Sequence, residues 1–179
     1  MPTPETALWR AGAFAADDWR FPAAGEPVPA DGKVALPKAR FLAERAALAG
    51  RNGPIGVVLE SGESLADIED DVPRFGLIVL RFARYADGRN YSTARILRDR
   101  LGFRGELRAS GDVLRDQVLF MLRAGFDALE IAHAGTVATL KEGRIVGVHR
   151  HYQPASNEIG ESAAGLRGWQ RTSRRLASN

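Results

Sequence analysis

The chain contains no cysteine. Disulfides, thiolate metal sites, cysteine-ligated iron–sulfur clusters and thiol redox chemistry are therefore excluded. Redox work by such a chain would need a borrowed cofactor or a partner to assist. No apolar run approaches the roughly 20 residues needed to span a bilayer. The first residues lack a basic stretch followed by an apolar core, so no secretory signal is read and the cytoplasm is the expected compartment. Also missing are a solenoid repeat, a phosphate-binding loop, a dinucleotide glycine fingerprint and a serine-nucleophile elbow. No cofactor is named by any motif, and neither nucleic acid nor a membrane is an expected partner.

What is present suits a globular α/β protein. The length of 179 residues fits one domain, taken as residues 1–153, followed by a flexible basic tail at 154–179. The net charge of +3 is carried mostly by arginine and favours an anionic ligand or acidic partner only weakly.

Residues 1–35 place Trp9, Phe14, Trp19 and Phe21 among Gly, Pro and Ala. This reads as short strands or a loosely wound arm, with the aromatics either anchoring it to the core or offering a partner surface. Pro37 suits a helix start, and Gly50 suits its end. Ile55 to Leu59 and Gly76 to Phe82 are apolar runs of the kind buried on both faces of a parallel sheet. Between them Ser64 to Asp70 reads as a short acidic helix capped by Ser64.

Asp87-Gly88 marks a turn after the second run, and Ser92 is the expected cap of a helix to Leu101. Gly105 to Ala109 is a further strand. Ser110-Gly111-Asp112 is a second turn, with Asp112 capping a helix from Val113 to Ala124. Phe126 to Ala132 is another strand, Thr136 to Lys141 a helical turn or more, and Arg144 to Tyr152 a last strand. Alternating strands and helices predict a compact parallel-sheet α/β domain of βα units, an open sheet or partial barrel with an N-terminal aromatic arm.

Ligands of parallel α/β proteins collect at the carboxyl ends of strands. That rule gathers Arg84, Asp87, Gly88, Arg89 and Tyr91 with Ser92, then Ser110, Gly111 and Asp112, then His133 and Gly135, with Glu60 as a further contributor. Arg84 and Arg89, with Tyr91, Ser92 and Ser110, are the expected binders of a small oxyanion. Asp87, Asp112 and His133 are the acid–base candidates. The alternative is local: Asp87 holds its turn, Asp112 caps its helix, and the arginines pair with Glu106, Asp99 and Asp116. Asp112 and Asp116, one helical turn apart, are read either as an acid–base pair or as cap plus surface charge. His149 and His151 lack a third ligand, so no metal is expected. Trp169 and its neighbouring arginines could serve an acidic partner.

The segment DGRNYSTARILRDRLGFRGELRASGDVLRDQVLFMLRAGFDA resembles the central signature of a bacterial family of unknown function. Its members are commonly encoded beside assimilatory sulfite reductase and are labelled oxidoreductases of sulfite reduction. The resemblance places Asp87, Gly88, Arg89, Tyr91, Ser92, Arg95, Arg98, Gly105, Glu106, Arg108, Gly111, Asp112, Asp116, Gln117, Gly125 and Asp127 in the family pattern. Ala83 stands where the family has proline, and Asn90 where it has glycine. More loosely, it extends from about Leu8 to residues 151–153. It implies an accessory role in assimilatory sulfur metabolism with sulfite reductase as partner. Two alternatives stand beside it: an enzyme on a small anionic substrate, and a scaffold forming a homo-oligomer through the N-terminal arm.

Overall fold

A computed structural model of the chain describes residues 6–145. Among them, eight strands form one sheet: β1 (Ala7–Arg10), β2 (Ala13–Ala15), β3 (Trp19–Arg20), β4 (Lys33–Pro37), β5 (Ile55–Leu59), β6 (Phe75–Phe82), β7 (Glu106–Gly111) and β8 (Ala128–Ile131). The helices are α1 (Lys38–Leu48), α2 (Arg89–Arg95), α3 (Val118–Ala124) and α4 (Ala134–Lys141), with a short 3₁₀ helix at Glu69–Arg74 and a π turn at Ile96–Arg100.

The strand order is β2-β1-β8-β7-β6-β5-β4-β3. From β3 to β8 each strand lies parallel to its predecessor, and β1 and β2 join antiparallel beyond β8. Right-handed crossovers that always advance by one neighbour leave every helix on the same face. The core agrees. Leu36, Val57, Leu80, Leu107 and Leu129 of the sheet join Phe41, Ala94, Met121 and Leu140 of the four helices in one cluster. The opposite face carries a smaller apolar group of Trp19, Ala35, Val58, Leu77 and Val79. Alternation on β6 makes both possible: Ile78, Leu80 and Phe82 face the helices while Leu77 and Val79 face inward.

The sheet is curled, and the chain shows by how much. Laid flat, seven gaps of about 4.8 Å would put β2 and β3 some 34 Å apart. Only residues 16–18 connect them, and the path from Ala15 to Trp19 spans at most about 14 Å. The two edges therefore approach each other across an open half-barrel, with the helices outside. The expected parallel α/β sheet of partial-barrel form is the observed one.

The N-terminal stretch is more integrated than an arm. It supplies strands at both edges, and Trp9 and Trp19 are buried. Trp9 packs in the helix-side core; Trp19 lies against Gly76 at the start of β6. β4, with Val34, Ala35 and Leu36 buried, begins in the stretch read as short strands or a loosely wound arm and ends at Pro37, where a helix start was expected.

Three local expectations change. Ser64 does not start a helix; its hydroxyl accepts from the Ala66 N–H, and the helical turn comes later, at Glu69. α2 begins at Arg89, three residues before Ser92, which lies inside it. The helix expected from Val113 begins only at Val118, and β7 runs on through Ser110 and Gly111. The reason is hydrogen bonding. Asp112 spends its carboxylate on another loop, and Gln117 Oε1 accepts from the Leu114 N–H to hold the intervening turn. The strand expected at 144–152 beyond residue 145, His149, His151 and the tail with Trp169 lie outside the described residues.

Candidate functional site

The carboxyl ends of the parallel strands form one rim. The strand order never reverses from β3 to β8, so no switch-point crevice divides it. Two of the three expected loops are stitched together there. The Tyr85 N–H donates to Asp112 Oδ2 at 2.8 Å, and Gln117 Nε2 donates to the Tyr85 carbonyl at 2.6 Å. Gly111 lets the strand ends close. Its φ is +88°, and a Cβ added there would lie 2.3 Å from the Phe82 carbonyl oxygen. That same oxygen accepts the Asp112 N–H at 3.0 Å.

Asp87 ties the loop after β5 to the loop after β6. It accepts from the Ser61 hydroxyl, from Arg89 Nε at 2.9 Å and Nη2 at 2.6 Å, and from the Arg89 N–H at 3.2 Å. The Arg89 guanidinium lies over Gly62, where a Cβ would collide with it. The Arg89 hydrogen bonds, then that of Ser61, hold the Asp87 carboxyl well below its ordinary value of 3.8. Asp87 is thus a fixed anion that orients Arg89, and Arg89 keeps two thirds of its side chain exposed.

The sign of this coupling sets a test. A depressed carboxyl stabilises the fold above its ordinary pKa, and the contribution is lost as pH falls toward the depressed one. Asp87→Asn should be less stable than the natural chain by a constant margin from pH 7 to pH 5. That margin should shrink below about pH 3.8, as followed by urea unfolding.

The remaining candidates separate. Tyr91 packs edge-on to Phe82 on the helix side, and burial, then the Asp116 charge, push its phenol up to about 12. Ser92 is exposed on α2, and the exposed Arg84 side chain makes no ion pair or hydrogen bond with a described residue. Glu60 pairs with Arg81 at 3.1 Å. Ser110 is buried on β7, and its hydroxyl has no hydrogen-bond partner. His133 caps α4, its Nδ1 accepting from the Thr136 N–H at 3.2 Å. No hydrogen bond or ion pair joins it to the Asp87–Asp112 group. Its strand end borders a separate depression of about 470 Å³ lined by Thr6, Ala132, Val137 and Lys141 among others.

The inner face holds a network that loop rules do not reach. Arg108 on β7 is completely buried, yet charged. It donates to Asp17 Oδ2 at 2.6 Å, Asp17 Oδ1 at 3.0 Å and Glu106 Oε1 at 2.9 Å. Arg10 of β1 pairs with the other Glu106 oxygen at 2.9 Å. Two cations meet two carboxylates, so the group is neutral as a whole. Burial pulls the Arg108 pKa down, and the Asp17 and Glu106 hydrogen bonds more than offset this. Asp17 lies in the short link that crosses between the sheet edges, so this pair fastens the link to the centre of the sheet.

A readable signal existed for part of this. Glu106, Arg108 and Ser110 alternate with Leu107 and Ala109, which marks a strand with one polar, inward face. Nothing near Asp17 announces its partner 91 residues away.

A second staple sits beneath α2. Arg98 donates to the Gly125 carbonyl at 2.9 Å, to the Phe103 and Gly105 carbonyls at 2.7 and 3.0 Å, and to Asp127. It joins the end of α2 to the starts of β7 and β8. Asn90, buried at the start of α2, donates to the Arg81 carbonyl at 2.8 Å, a bond that glycine could not make.

Fold and rim together define a singly wound α/β half-barrel whose strand-end loops are cross-linked by carboxylates. The family model of bacterial proteins of unknown function (DUF934) matches residues 56–160, and the chain belongs to that family. The matched region starts in β5 and includes the rim loops, while β1 to β4 precede it. No curated protein matches the chain. Among the described residues no helix is long and apolar enough to cross a membrane, and no group of three or more His, Asp or Glu is placed to hold a metal ion.

Proposed function

We propose that the protein is a binding accessory of assimilatory sulfur metabolism that assists sulfite reduction. One observation supports binding over acid–base chemistry. Asp87, the carboxylate beside Arg89, is engaged on both oxygens, by Ser61 and by Arg89. A general acid or base needs a free position toward its substrate. The sulfur assignment rests on the resemblance of the Asp87-to-Ala128 segment to the family encoded beside sulfite reductase. The missing cysteine is in keeping with assisting another protein's electron transfer.

The enzyme alternative would use Arg89 as anion clamp, with Asp87, Asp112 or His133 as the acid–base group. The scaffold alternative would use Phe21, which is 45% exposed, because Trp9 and Trp19 of the aromatic arm are buried. Affinity capture from sulfate-grown cells with the full chain as bait tests the accessory role. Sulfite reductase should be enriched over a mock bait. Repeated capture without any sulfite reductase would overturn the assignment.

A further inference from the structure

The charge of this chain is unevenly placed. Residues 84–123 contain nine arginines and five Asp or Glu, an excess of +4, whereas the whole chain carries +3. Many of these arginines are used internally, as Arg89, Arg98 and Arg108 show. Four others are not: the exposed side chains of Arg84, Arg95, Arg104 and Arg115 make no ion pair or hydrogen bond with a described residue. Arg104 stands apart at the opposite ends of the strands, which leaves Arg84, Arg95 and Arg115.

The fold brings these three to one side. Arg84 precedes Tyr85, which the Asp112 and Gln117 bonds hold against the loop that carries Arg115. On α2, Tyr91 and Arg98 mark the flank toward α3: Tyr91 senses Asp116, and Arg98 reaches the Gly125 carbonyl at the end of α3. Arg95 lies four residues after Tyr91 and three before Arg98, so it shares that flank. Two large aromatic side chains stand exposed among them. Tyr85 is 60% exposed, and Phe120, on the outward ridge of α3, is 53% exposed while the other α3 residues are buried.

We propose that this ridge, formed by Arg84, Tyr85, Arg95, Arg115 and Phe120, docks an acidic face of a partner protein that offers an apolar pocket. Arginine and aromatic residues are the types that dominate binding energy at protein interfaces. The unpaired guanidiniums supply charge complementarity and steer the approach, and Phe120 supplies an anchor. Asp99 and Asp116 interrupt the basic surface, which disfavours a continuous phosphate backbone and favours a protein with mixed chemistry. The proposal deepens the accessory reading by assigning that role a surface.

The test uses fluorescein-labelled 12-residue peptides and the full chain, read by anisotropy at low salt. One peptide alternates Glu and Leu, one alternates Glu and Ser, one alternates Lys and Leu, and a 12-nucleotide single-stranded DNA completes the set. The Glu–Leu peptide should bind best. Its affinity should fall at least tenfold in Arg95→Glu/Arg115→Glu and in Phe120→Ser, and should be unchanged in Arg104→Glu, an exposed arginine at the opposite ends of the strands. Equal binding of Glu–Leu and Lys–Leu peptides, tighter binding of DNA, or Glu–Leu affinity indifferent to the ridge variants would each overturn the proposal. Capture from sulfate-grown cells separates the two ideas. Sulfite reductase retained equally by natural and ridge-variant baits would refute the surface and leave the accessory role standing. Loss of capture in the ridge variants alone supports both. If the natural chain captures none while the peptide results hold, the surface stands and the accessory role falls.

Discussion

Arg108→Met should lower the thermal midpoint by roughly 6–20 °C, the largest single effect expected in this chain. The substitution keeps much of the side-chain volume and removes the charge. Asp17, about one third exposed, then loses its arginine, and Glu106, largely buried, keeps only Arg10. Removing one member of a buried ion pair costs about 3–5 kcal/mol, and for a chain of this length each kcal/mol moves the midpoint by about 2–4 °C. The damage should be directional. The link at residues 16–18 loses its fastening, so amide exchange should accelerate in β2 and β3 before it does in β6. The triple variant Arg108→Met/Asp17→Asn/Glu106→Gln tests the cause. It removes the three charges at the buried centre together, leaves Arg10 with its partly exposed side chain, and should recover much of the lost stability. A triple variant no better than the single one would mean that Arg108 acts through shape alone.

Gly111→Ala should rank next, at roughly 3–4 kcal/mol, near the upper end for single substitutions. A left-handed backbone alone costs a non-glycine residue about 1–2 kcal/mol. The rest comes from contact: the new Cβ would meet the Phe82 carbonyl oxygen at 2.3 Å, and a backbone atom cannot swing aside as a side chain can. β6 and β7 must part at their ends, which also frees Asp112 from Tyr85. Faster exchange at the Tyr85 amide should therefore accompany the lost stability. Gly50→Ala is the control. A Cβ there meets nothing within 4 Å, and the change should stay within about 1 kcal/mol of the natural chain. A Gly111→Ala protein as stable as Gly50→Ala would disprove the close approach.

These two positions also show what could be read from the sequence. The two apolar runs gave β5 and β6, because strands buried on both faces are apolar almost throughout, and the strand–helix alternation gave β7, β8 and the parallel pairing. The alternation from Glu106 to Ser110 held the inward polar face in plain view. Helix starts were read less well, and for one reason. Ser, Asp and Asn serve equally as caps and as acceptors for distant backbone groups. Asp112 looked like a cap and instead holds Tyr85, 27 residues away. Asn90 replaced an expected glycine and fastens α2 to β6. β3 and β4 stood only as short strands or a loose arm, because their place in the sheet is decided by neighbours far along the chain, as is the Asp17–Arg108 pair.

At the rim, location was legible and chemistry was not. Asp87, Arg89 and Asp112 do meet near one another's loops, through Ser61, Tyr85 and Gln117, whose residue types carry no such signal. His133 belongs to the same rim but caps its own helix instead of joining them. A carboxylate with four donors, as Asp87 has, is a structural anchor more readily than an acid or base, and that distinction appears only when the donors are in place.

The most direct test of a role in sulfite reduction is the growth of a strain deleted for this gene on sulfate, sulfite or sulfide as sole sulfur source. Growth restored by sulfide but not by sulfite is the expected result, and the natural gene in trans should restore growth on all three. Full growth of the deletion strain on sulfite, or failure to grow even on sulfide, would contradict an accessory role at that step.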